Sequence, residues 1–142
     1  MANITTIQTA IQTKLQAISE LHGVYTYEIA KPTNGQYPFA TITFLSSEAV
    51  FGDTIRNERT YSFVVRVYQE RTEPAFGASK AERIMRGICD QIIDAFDLDT
   101  TLNNTVKYVK PISVDLDYID REIGDTRLAE FKLDCVTIVP SS

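Results

Sequence analysis

The chain has no tryptophan, a single histidine and two cysteines in 142 residues. Each scarcity closes off a chemistry. With His22 as the sole imidazole, a histidine-based metal centre has nothing to assemble from, and a catalytic base would lack partners. Cys89 and Cys135 are far apart, each on the apolar side of an expected element, and read as buried reduced thiols rather than a disulfide framework or a metal pair. Phosphate-binding glycine loops, a dinucleotide fingerprint, a zinc-protease helix motif and a nucleophile elbow are all absent. No apolar run approaches the roughly eighteen residues of a membrane-spanning helix. The opening "MANITTIQTAIQTKLQ" lacks the basic start and apolar block of a signal peptide, so use in a cytoplasm is expected and the sequons at Asn3 and Asn103 read as chance matches. Basic residues number 14 against 19 acidic ones, for a net charge of -5, and they are scattered. That argues against a protein that grips nucleic-acid phosphates, which needs clustered Lys and Arg.

What is present is an ordinary globular composition, 44% hydrophobic and 23% charged, at a length that fits one domain. Ile4, Ile7, Ile11, Leu15, Ile18 and Leu21 recur at helical spacing, predicting a helix near 4 to 22, with Thr5 and Gln8 as a capping box and Gly23 as its stop. "VYTYEI" reads as a short strand, the Pro/Asn-Gly cluster "KPTNGQYP" as a turn, and "FATITFLSSEAV" as a second strand. A third strand runs unbroken from Glu58 to Glu70, with Tyr61, Phe63, Val65 and Val67 on one face and Ser62, Val64, Arg66 and Tyr68 on the other. At about 3.3 Å per residue its thirteen residues span about 43 Å, against about 37 Å for the diameter of a compact chain of this length. A strand as long as the domain asks for a reason.

A second helix follows, with Ser79 and Glu82 as a capping box and Ala81, Ile84, Met85, Ile88, Cys89, Ile92 and Phe96 as its apolar face; Gly87 in its middle is either tolerated or allows a close contact. "DLDTTLNN" is a polar connection with room for one more helical turn. Two strands close the chain, one lined by Ile112, Val114, Leu116 and Tyr118 and the other by Ala129, Phe131, Leu133 and Cys135, joined at "DREIGDTR". Strands that run consecutively predict an α+β fold with a mainly antiparallel sheet of about five strands, in the order α-β-β-β-α-β-β. Both helices have one apolar face, so they are expected on one side of the sheet, leaving the other side less hydrophobic and free to meet something else. Asp115 and Asp117 fall on one face of their strand, but "DLDYIDREIGDT" lacks the ligand spacing of a calcium loop. They read as a solvated face or as an acidic lining. Most of the tyrosines are expected to be sheet residues, with Tyr68 the best placed for an interface.

The element order, together with "YPFATITF", "FGDTIRNERTYSFVVRVYQER" and "ASKAERIMRGICDQIIDAF", resembles the tail terminator, or tail completion, proteins of long-tailed phages, across nearly the whole chain. The resemblance implies a structural protein, not an enzyme, with no cofactor, metal or catalytic residue. It would act in the virion after assembly in the host cytoplasm. Its copies would form a ring, usually of six, that ends the tail tube of major tail protein and offers a surface to the head connector, while DNA passes through without specific binding. On that reading, residues 46–59 would be an arm that orders on assembly, with Phe51 as apolar anchor and Asp53, Arg56 and Arg59 as charge-pairing groups. Asp115 and Asp117 would line the lumen. Another neck or head–tail adaptor protein, or an unrelated small α+β ligand-binding domain, are the alternatives.

Overall fold

A computed structural model describes the backbone of residues 3–28, 38–51, 56–70, 76–121 and 124–140, and side chains over most of that range. Helix α1 (Ile4–Gln16) starts at Asn3, whose side-chain oxygen accepts from the Thr6 amide at 2.8 Å. Strand β1 (Gly23–Tyr25) lies parallel to β2 (Phe39–Phe51), which pairs antiparallel with β3 (Arg56–Glu70). Helix α2 (Phe76–Leu98) crosses to β4 (Tyr108–Val109) and β5 (Ser113–Arg121), and the last strand, β6 (Gly124–Pro140), pairs with β3 on one side and with β4 and β5 on the other. The expected class and order are those observed.

Register assigns every residue of the long strands to a face. Across β2, β3 and β6, Ala40, Val67 and Ala129 form one row, Ile42, Val65 and Phe131 the next, and Phe44, Phe63 and Leu133 a third. Against these rows pack Ile7, Ile11, Leu15 and Ile18 from the first helical region and Met85, Ile88, Cys89, Ile92 and Phe96 from α2, all in one apolar cluster. Both helices therefore lie on the same side of the sheet. Glu82 on α2 is tied to this side by Arg127 of β6, at 2.7 Å. Burial raises the thiols of Cys89 to about 11 and Cys135 to about 12, in keeping with their expected role as small apolar groups.

Several local expectations are corrected. Helix α1 ends at Gln16, six residues early; Ile18 and Leu21 keep their inward positions through two tight turns, closed by Ile18 N–H to the Leu15 carbonyl and Leu21 N–H to that of Ile18. Apolar spacing is blind to that change of backbone. His22 consequently lies in the turn before β1, not at a helix end. Gln8 does not serve a capping box. Its amide crosses to the carbonyls of Thr26 and Ile42, and Gln12 reaches that of Val24, so α1 seals the sheet edge at β1. Glu82, expected in a capping box with Ser79, is turned instead toward Arg127. Gly23 begins a strand, where an added Cβ would lie 2.9 Å from the Tyr25 ring. After α2 comes a turn with Leu102, Asn103 and Asn104 all at positive φ, held by the Asp99 carboxylate accepting from the Asn103 amide.

The strands β4 and β5 share one edge of β6. Tyr108 and Val109 pair with Val136 and Cys135, and pairing resumes one residue out of step at Ser113 with Lys132. Together they are one edge strand interrupted around Pro111, which has no N–H to give a ladder and is tolerated at an edge or bulge.

Candidate functional site

Three regions could do something beyond holding the fold. The first is the sheet face opposite the helices. Its rows run Phe39, Tyr68, Leu128; then Thr41, Arg66, Glu130, Asp115; then Thr43, Val64, Lys132, Ser113; then Ser62 with Asp134. Because side chains alternate, the strands that feed the core necessarily present this polar set on their backs. Arg66 donates from Nε to Glu130 at 3.0 Å and stands 3.8 Å from Glu28. Glu28 also accepts from the Thr41 and Tyr68 hydroxyls, each at 2.5 Å. Ser62 donates to Asp134 at 2.8 Å. Partial burial works against the Arg66 charge, but the Glu130 hydrogen bond and the two carboxylates outweigh it and raise its pKa. The network fixes charges in place; it has no nucleophile–base pair and no open metal cage. Among the described residues no three His, Cys, Asp or Glu side chains gather as a metal site.

Tyr68, expected at an interface, is 4% exposed, its ring stacked on Phe39 with centroids 4.9 Å apart. Val64, on the same face, is 2% exposed. Tyr25 packs edge-on against Phe39 and Tyr27 against Tyr25, so an aromatic patch closes one end of the polar face. Asp115 is exposed, directly across from Glu130 and beyond it Arg66. Asp117 pairs with Leu128 two residues along, and its side chain lies outside the described set.

The second region is the hairpin of β2 and β3. Pairing continues past a bulge between Phe44 and Ser46 as far as Phe51 with Asn57, while β6 follows β3 to Pro140 opposite Arg56. Among the described side chains, the apolar cluster takes nothing from β2 beyond Phe44, from β3 before Tyr61 or from β6 beyond Cys135. Three strands thus continue as a blade past the core. Of the expected arm residues, Arg59 is tied into this blade, donating to Ser47 at 2.9 Å, while its carbonyl accepts from Thr137. Glu58 stands 3.5 Å from Lys107. Phe51 and Arg56 hold strand positions with side chains outside the described residues, and Asp53 lies outside them altogether.

The third region was not anticipated. A groove of about 720 Å³ runs between α1, α2 and the turn after α2, floored by Ala10, Ala95, Ile18 and Leu102 and flanked by Thr6, Thr9 and Thr13. Lys14 bridges it to Asp99 at 2.9 Å and, with the Asn103 amide, lowers the Asp99 pKa. The run of short side chains at helical spacing on the outer side of α1 was the available signal.

The fold and these surfaces define a compact α+β sheet with two helices on one face and a largely polar back. No protein-family model matches the chain, and no curated protein matches it. Among solved structures it is similar to a chain of a structure described as "Virion of native gene transfer agent (GTA) particle", with a TM-score of 0.51 over 94% of this chain and 95% of that one, at 16% sequence identity. At that identity the likeness is one of fold.

Proposed function

We propose that this protein is a structural component of a phage-type virion and acts as a tail terminator. Its copies close into a ring at the head-proximal end of the tail tube, end the tube's growth and present a joining surface to the head connector. The observation that carries the reading is end-to-end fold likeness to a virion chain, with neither chain having a large part left over. Two features support it. The blade of β2, β3 and β6 extends beyond the core, as a subunit needs in order to reach a neighbour or the tube. A heterologous contact that closes by rotation then yields a ring instead of a filament. The polar face, with Asp115 at its rim, suits a lumen that lets DNA pass without adhering.

Negative-stain electron microscopy with solution mass, with and without purified tail tubes, tests this. Closed rings with a hole wide enough for duplex DNA, bound at one end of the tube, are the expected result. A protein that stays monomeric or dimeric at every concentration and ignores tubes overturns it. The groove between the helices favours a second reading, a small ligand-binding domain, which would show as a ligand-dependent rise in melting temperature without any tube binding.

A further inference from the structure

Helix α2 carries charge the wrong way round for a helix. The N-terminal end of a helix is partly positive and favours acids, and the C-terminal end favours bases. On α2 the first turn has no acid and the last turn no base. Its exposed side instead runs Arg83 and Arg86, then Asp90, Asp94 and Asp97. Spacings of three and four residues put these five on one stripe. Asp99, just past the helix end, is met by Lys14, but among the described residues no ion pair engages Asp90, Asp94 or Asp97. The Arg86 side chain is 74% exposed, and its ion-pair partner Glu82 makes its closer bond to Arg127.

Between the two halves lies Gly87. It is exposed, and a Cβ built on it would meet nothing within 4 Å. Glycine in an exposed helix interior is a poor choice for the isolated chain, since alanine would stabilise the helix and fit. None of the described residues comes close enough to ask for glycine there. A second helix crossing at close range would.

We propose that α2 is a self-association helix. Two copies lay their α2 stripes antiparallel across a two-fold axis near Gly87, so that Arg83 and Arg86 of each face Asp90 and Asp94 of the other. Antiparallel pairing is the arrangement that matches basic half to acidic half twice, and it brings each helix's partly positive end beside the other's acids. A parallel arrangement would set like charges against like. Leu98, 87% exposed at the end of α2, gains cover in the same contact. The pairing is isologous and so differs from the head-to-tail contacts of a ring. It is independent of the tail-terminator reading.

The test uses the full chain with Gly87→Cys, a position with open space above it, while Cys89 and Cys135 are buried. Under oxidised glutathione, disulfide-linked dimer should form several-fold faster than from Ser19→Cys, an exposed position outside the stripe. Adding Arg83→Asp and Arg86→Asp should remove that advantage. Adding Asp90→Arg and Asp94→Arg on top should restore it, because the swapped stripe is again self-complementary. Raised salt should slow the reaction in both self-complementary backgrounds. Equal rates in all charge backgrounds, or a Gly87→Cys rate no faster than the Ser19→Cys control, overturn the proposal. Tube capping, on which the ring reading depends, is not read by this experiment, so the two fail separately.

Discussion

The two faces of the central sheet are built from alternate residues of the same strands, yet they are held by different forces. On the helix side, Phe63, Val65, Leu133 and Phe131 are fully buried and stabilise through apolar area removed from water. On the other side, Arg66, Glu130, Glu28, Thr41 and Tyr68 form a hydrogen-bonded network with charges still partly in contact with solvent. The first face carries the apolar core; the second carries a fixed polar network with buried Phe39 and Tyr68 at one end.

The sharpest break of the comparison is Phe131→Ala, which empties the middle of the helix side. It should cost about 3–5 kcal/mol, seen as a lower urea midpoint with a near-constant slope. On the back face, Arg66→Met removes the central cation and should cost about 1–2 kcal/mol, the partial exposure of its partners keeping the loss small. Should the Arg66 loss equal that at Phe131, the back face would be as much a stabilising core as the front. At the rim of the helix side, hydrogen bonding to Arg127 holds the Glu82 carboxyl below its ordinary 4.5. A carboxyl depressed on folding contributes stability that is complete above its unfolded pKa and is lost as pH falls through the folded one. Arg127→Met should therefore flatten the fall in stability below pH 4.5, measured by urea titrations at a series of acid pH values. Smallest of all is Asp115→Lys. It replaces a like charge opposite Glu130 by an opposite one and should change stability by at most about 0.5 kcal/mol, in the favourable direction. In assembled particles the same change should slow DNA ejection if Asp115 lines the lumen, and unchanged ejection counts against that placement.

The difference between the faces was legible where side-chain period is the signal. Alternation in "YSFVVRVYQ" placed Phe63, Val65 and Val67 inward and Ser62 and Arg66 outward, and the strand's unusual length came through in its unbroken pattern. It could not say that Tyr68 would be covered, because what covers it depends on Phe39 and Glu28, distant in sequence. Helix α1 shows the same limit. Periodicity continued through Leu21 although the backbone had already left the helix, and the true cap, Asn3, lacked the Glu or Gln partner that makes a capping box recognisable. The inter-helix groove was hidden for a further reason: a stripe of Thr and Ala says a surface is shallow, and only the second helix makes it a cleft. For the arm, strand character in Glu58 to Glu70 was apparent, but its continuation as a three-stranded blade depended on β6 staying in register up to Pro140.

The amides of Gln8 and Gln12 give the sheet a handedness in how it can go wrong. By donating into the carbonyls of Val24, Thr26 and Ile42, they occupy the acceptors that a stray strand would need at that margin. A strand arriving at that margin meets these three carbonyls already taken, and the safeguard lies in two side chains of a helix.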